Sequence, residues 1–151
     1  MKTYIGTKII KAVPMTRAEY NAVRGWEVPA DENGADEGYL VEYTDGGKPN
    51  HLYYAGYVSW SPKAQFEAAY RETSGLTFGL AIEAMKKGAR VTRAGWNGKG
   101  LWLEYHQPMT DVDLPYIRMS YPVNSNAYPK GARVPWLASQ TDMLAEDWSI
   151  V

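Results

Sequence analysis

The run Leu76-Thr-Phe-Gly-Leu-Ala-Ile-Glu-Ala-Met-Lys-Lys-Gly-Ala-Arg-Val-Thr-Arg-Ala-Gly-Trp-Asn-Gly-Lys-Gly-Leu-Trp-Leu-Glu-Tyr-His106 decides the architecture, because it passes from helix to strand to strand within one short span. Thr77 is placed to cap a helix in which Phe78, Ile82 and Met85 fall at i, i+4 and i+7, a single apolar stripe. Gly88 stops that helix. Ala89 to Arg93 reads as a short strand, and Gly95-Trp-Asn-Gly-Lys-Gly100 as a tight turn. Leu101 to His106 then alternates, with Leu101, Leu103 and Tyr105 against Trp102, Glu104 and His106, the period of a half-buried strand. Strands joined by so short a turn run antiparallel, which predicts an α+β fold.

Downstream, Tyr116 to Tyr121 reads as a further strand with Ile117, Met119 and Tyr121 on one face. Pro122 to Gly131 is a polar insertion containing Asn124-Ser-Asn126, and Val134-Pro-Trp136 is extended. Ser139 with Asp142 forms a capping-box-like start to a short helix ending near Glu146. Asp147 to Val151 closes the chain as a strand.

Upstream, Thr3 to Val13 is expected to be a strand. Thr16 and Glu19 form a capping box, with Met15 and Tyr20 as its hydrophobic staple and Gly25 as the stop. The acidic stretch from Pro29 to Gly38 is a turn-rich loop. Tyr39 to Tyr43 is a strand that turns at Thr44-Asp-Gly-Gly47 and returns over Gly56 to Trp60. Ser61-Pro62 opens a second helix, with Phe66, Ala69 and Tyr70 on one face. Thr73-Ser-Gly75 looks like a linker. Two modules are therefore expected, 1–72 and 76–151, each made of small antiparallel sheets with short packed helices.

Composition narrows the function classes. The 151 residues carry a formal net charge of −1, which argues against a binder of nucleic acid polymers. The chain has no cysteine, so disulfides and thiol chemistry are excluded. The N-terminal residues lack the apolar run of a signal peptide, and no stretch of about 18 apolar residues is available to span a bilayer. No membrane partner is expected, and a cytosol is the expected compartment. With 12 Tyr and 6 Trp against 2 Phe, the aromatics favour rings with a polar handle, suited to cores, pockets and subunit interfaces.

The catalytic inventory is poor. His51 and His106 lie in different halves without zinc-site spacing. Ser59, Ser61 and Ser139 lack the Gly-x-Ser-x-Gly context of a hydrolase nucleophile, and the glycine-rich turn at 95–100 lacks the Gly-Lys-Ser/Thr ending of a phosphate loop. No catalytic residue, metal ligand or cofactor is assigned, and the chain is read as a binder rather than an enzyme.

Three segments combine flat rings with hydrogen-bonding groups: Arg93 to Gly98, Trp102 on its strand, and Trp136 to Met143. The expected site has Phe78, Trp96 and Trp136 as apolar walls. Arg93 and the backbone of Ser139 to Asp142 would hold phosphate, and Asn97 and Gln140 would meet ribose or base. Asp142 and Met143 border it, and Trp102 either joins it or packs between protomers. The competing reading is a virion or interaction protein whose aromatics serve assembly only.

The same residues carry a resemblance. Leu76 to Gly100, then Leu114-Pro-Tyr-Ile-Arg-Met119, then Val134-Pro-Trp-Leu-Ala-Ser-Gln-Thr-Asp-Met-Leu-Ala-Glu-Asp-Trp148, is similar to the second Thoeris anti-defence family of phages. The first half, through Lys2-Thr-Tyr-Ile-Gly-Thr-Lys8 and Tyr57-Val-Ser-Trp-Ser-Pro-Lys63, resembles a small domain common in phage and prophage proteins, for which no activity follows. The resemblance implies sequestration, without cleavage, of cyclic ADP-ribose isomers made by bacterial TIR proteins, in the cytoplasm of the infected host. It also implies a homotetramer with pockets shared between protomers and, for some members, cyclic di- or trinucleotides at a separate site. Members often consist of the second module alone, so the first 75 residues are a departure.

Overall fold

The computed structural model describes residues 1–125 and 131–151. The chain divides into two compact units, Met1–Tyr70 and Arg71–Val151. Two antiparallel sheets and a few short helices make up an α+β fold.

The first unit contains β1 (Lys11–Pro14), α1 (Arg17–Arg24), β2 (Gly38–Tyr43), β3 (Tyr57–Pro62) and α2 (Lys63–Ala69), with sheet order β1-β2-β3. The capping box at α1 forms as expected: Thr16 Oγ1 accepts from the Glu19 amide and the Glu19 carboxylate accepts from the Thr16 amide at 2.7 Å. Gly25 closes the helix at φ 69°, a backbone angle that favours glycine. The core joins Tyr20, Leu40 and Val58, with Met15, Val23, Tyr54 and Trp60 packed around them.

Three expectations for this unit need correction. The strand expected from Thr3 begins only at Lys11, and Ile5 is fully exposed. The partner sets that limit: Lys11 pairs with Glu42, one residue short of the end of β2 at Tyr43, so the earlier residues have no ladder to join. The β2–β3 connection is not a tight hairpin but runs from residue 44 to 56. It is tied down by the Asn50 side chain, which both donates to and accepts from the Val58 backbone at 2.8 Å, and by the Gly56 amide donating to Glu42 at 2.9 Å. Ser61 does not cap α2, because β3 continues through Pro62, which pairs with Gly38. The helix starts one residue later, with Pro62 at the cap and no side-chain bond.

The second unit contains α3 (Phe78–Lys86), β4 (Val91–Arg93), β5 (Trp102–His106), β6 (Tyr116–Ser120), β7 (Arg133–Pro135), α4 (Gln140–Met143) and β8 (Trp148–Ile150), with sheet order β7-β6-β5-β4-β8. Thr77 caps α3 by accepting from the Leu80 amide. The apolar stripe of α3 is broader than the expected Phe78, Ile82 and Met85. Ala81 and Ala84 are buried beside Met85, and these small side chains let the helix lie close to the sheet. Leu76, Val91, Leu103 and Trp148 complete the core. The final strand pairs antiparallel with β4, and Leu76 and Trp148 exchange backbone hydrogen bonds at 2.8 and 3.2 Å, so the first and last segments of the unit close on each other. Helix α4 stops at Met143 rather than near Glu146, with Leu144 as its cap. Within the polar insertion, Asn126 lies outside the described residues.

Leu103 has no exposed surface and sits in the middle strand, so Leu103→Ala removes packing that the sheet cannot refill. The expected loss is about 2–5 kcal/mol, measured by urea unfolding followed through tryptophan fluorescence.

Candidate ligand site

Strand parity divides the second unit's sheet into two chemical faces. Val91, Arg93, Leu103 and Trp148 point toward the helices, whereas Trp102, Glu104, Arg118, Ser120 and Arg133 share the opposite face. Four aromatic rings cluster on the helix-side face. Trp148 is fully buried at the centre, with Phe78 and Trp96 each 5.4 Å from it and Trp136 6.0 Å away. Phe78, Trp96 and Trp136 are only half-buried, and Trp136 lies 6.0 Å from Phe78 and 6.1 Å from Trp96. The three walls expected from sequence are therefore brought together, on a ring that sequence reading had not placed among them.

One carboxylate organises this group. Asp142 is buried, and its Oδ1 accepts from Trp96 Nε1 at 3.0 Å and from Arg93 Nη1 at 2.8 Å. Its Oδ2 accepts from the Ser139 amide and hydroxyl, while its own amide donates to Ser139 Oγ, a complete capping box. The Asp142 carbonyl accepts from Trp148 Nε1 at 3.0 Å. Arg93 reaches the other way as well, donating from Nε to Asp147 Oδ1 at 2.7 Å. Asp147 in turn accepts from the Gly95 amide at 2.8 Å, which anchors the turn that carries Trp96 and Asn97.

These contacts fix the electrostatics. Burial opposes charge on Asp142, but the bonds from Ser139, Trp96 and Arg93 outweigh it and hold the carboxyl far below the usual range. Asp147 is lowered chiefly by Arg93, and Arg93 is raised by both carboxylates. The Arg93 guanidinium is thus shared between two carboxylates. At the start of α4, the carboxylate of Asp142 occupies the place where a bound anion was expected. Of the expected phosphate donors, Arg93 and the amides of Ser139 and Asp142 are engaged within the chain.

The remaining expected residues fall elsewhere. Asn97 and Gln140 are exposed beside Trp96 and at the first turn of α4, and Met143 is 40% exposed on α4. Trp102 is on the opposite face with Arg90 over its ring at 5.1 Å, and its buried Nε1 has no partner among the described residues. Missing from the expected site were Trp148 and Asp147, and the arginines around Trp102. The period-two pattern did assign Trp102, Glu104 and His106 to one face, but which residues of distant strands oppose them is not written in local spacing.

Both histidines contact groups of their own unit. His51 Nε2 donates to the Val23 carbonyl at 3.0 Å while Nδ1 accepts from the Tyr53 amide, and His106 Nδ1 lies 3.1 Å from Arg118 Nη1. Among the described residues, no group of three or more His, Asp or Glu side chains is placed to hold a metal ion, and no helix is long and apolar enough to cross a membrane. An open cavity of about 450 Å³ in the first unit, lined by Pro49, Asn50, His51, Leu52 and Tyr54, contains none of the expected site residues.

Residues 76–151 match the model of the Thoeris anti-defense 2-like domain. A protein of Bacillus phage SP01 named Thoeris anti-defense 2 is 38% identical over 84 residues, covering 50% of this chain and 94% of the phage protein. Every member of the aromatic and carboxylate group lies inside the matched segment.

The lowered pKa values of Asp142 and Asp147 give the second unit a pH dependence of fixed sign. Their stabilisation is present above the unfolded carboxyl value near 4 and is lost as pH falls from there toward the folded value. Asp142→Asn is expected to lower stability at pH 7 and to flatten its decline between about pH 5 and 2, read from urea midpoints across that range.

Proposed function

This chain belongs, through residues 76–151, to the phage Thoeris anti-defense 2-like family, and from that premise we propose that its second unit binds a cyclic nucleotide immune signal and holds it intact. The signal class is a cyclic ADP-ribose isomer of the kind made by TIR proteins. Holding it keeps the Thoeris effector inactive in the cytoplasm of the infected host. The observation that carries this reading is the aromatic group around Trp148: three half-buried rings, one of them bonded to Asp142, with exposed Asn97 next to Trp96 in the chain and exposed Gln140 in the first turn of α4.

Each feature has a role in capture. A base stacked on an indole contributes about 1–3 kcal/mol, and nanomolar retention requires roughly −12 kcal/mol in all. One wall cannot supply that after the cost of immobilising the ligand. Leu137 and Leu144, 92% and 79% exposed, lie on either side of α4 in the chain, which ends at half-exposed Met143. Their exposure supports a pocket completed by a second copy, as in a homotetramer, where the ligand is enclosed on both sides. The two carboxyls beside the rings are held below the usual range, Asp142 by Ser139, Trp96 and Arg93 and Asp147 chiefly by Arg93, which makes both weak proton acceptors and supports binding without cleavage.

The direct test incubates the purified full chain with a cyclic ADP-ribose isomer, heat-denatures it, and analyses the released small molecule. Intact ligand is expected, and a chemically altered product would replace the sponge with an enzyme. Trp96→Ala is expected to weaken binding by roughly 5- to 150-fold in titration calorimetry. Sedimentation in the same buffer reads the assembly state.

A further inference from the structure

The face of the sheet turned away from the helices carries an unusual charge arrangement. Glu104 on β5 stands opposite Arg118 on β6, and its carboxylate accepts from Arg118 Nε and Ser120 Oγ, both at 2.9 Å. Arg133 at the start of β7 and Arg90 just before β4 bring their Nε atoms to 3.7 and 3.9 Å from the same carboxylate, ion-pair distances too long for hydrogen bonds. Three guanidinium groups therefore share one carboxylate, leaving two positive charges in excess. The side chains of Arg90 and Arg133 are 57% and 58% exposed. Beneath Arg90, the indole N–H of Trp102 is buried and unpartnered among the described residues. His106 lies against Arg118 at the next position along β5.

A carboxylate at the focus of three arginines has the geometry of an internal stand-in for a larger oxyanion. Glu104 satisfies Arg118 but cannot reach Arg90 and Arg133, whereas a group with more oxygens and two negative charges can engage all three. We propose that Arg90, Arg118 and Arg133 form a binding site for a phosphate ester or pyrophosphate, with Glu104 as the residue that weakens it. This site lies on the opposite sheet face from the aromatic group, so one ligand cannot touch both within a protomer. The proposal goes beyond the sponge reading and does not depend on it.

Titration calorimetry of the full chain with inorganic pyrophosphate tests the site, with cyclic ADP-ribose in a parallel arm. Pyrophosphate is expected to bind, more weakly as salt is raised. Arg90→Gln and Arg133→Gln, whose side chains make no hydrogen bond among the described residues, should each weaken it by about three- to tenfold. Glu104→Gln should strengthen it by a similar factor, whereas a merely structural Glu104 would weaken it or leave it unchanged. If Glu104→Gln fails to fold, the two arginine variants decide the matter. Absence of pyrophosphate binding, or binding indifferent to Arg90 and Arg133, overturns the proposal even where cyclic ADP-ribose binds. Conversely, arginine-dependent pyrophosphate binding without any cyclic ADP-ribose binding supports this site and overturns the sponge reading alone.

Discussion

The bridge that Arg93 makes between Asp142 and Asp147 holds together the parts of the second unit that are far apart in sequence. Arg93 ends β4, Asp142 lies in α4, and Asp147 precedes β8. Through it, one guanidinium joins a central strand, the last helix and the closing strand. The two aspartates extend the reach: Asp142 holds Trp96, Ser139 and, through its carbonyl, Trp148, while Asp147 holds the turn at Gly95. With side-chain exposures of 15% for Arg93 and 12% for Asp142, this pair is screened little by solvent. Loss of one partner would leave a largely desolvated charge, which is why such a bridge specifies geometry more than it adds net stability.

That bridge also governs what the helix-side face can bind. An arginine committed to two carboxylates presents no net positive charge, so the rings around Trp148 have no excess positive charge beside them. Unspent positive charge collects instead on the other side of the sheet, where Arg90, Arg118 and Arg133 outnumber Glu104. Stacking and charge are thus separated by the thickness of one sheet.

The first unit follows a different logic. Its sheet has three strands and its buried core is small, so local side-chain bonds hold the connections in place. Asn50 imitates a neighbouring strand for Val58, and Glu42 receives the Gly56 amide, which fixes the long excursion between β2 and β3. These contacts tie the loop to the two strands it connects, between residues 8 and 14 positions apart, well beyond the span of a two-residue turn. For that reason the Asp-Gly turn signal suggested a tighter hairpin than the chain forms.

Much of the molecule was legible locally. The capping boxes at Thr16 and Ser139, the Thr77 cap, the stop at Gly25 and the alternation through β5 depend on residues within a few positions of one another, and short-range geometry suffices to form them. The α+β class followed from the same patterns, and the three rings singled out in sequence, Phe78, Trp96 and Trp136, lie together in the fold. Long-range pairing was decided only in three dimensions. Strand length followed the partner, as at β1, and β8 joined β4 because backbone hydrogen bonding and burial of Trp148 close the sheet there. Arg93 reads in sequence as a free cation beside a tryptophan, and tertiary folding brings two aspartates about fifty positions away onto it. A side chain's type is set by the sequence, but its net charge and availability depend on which distant groups the packed sheet delivers to it.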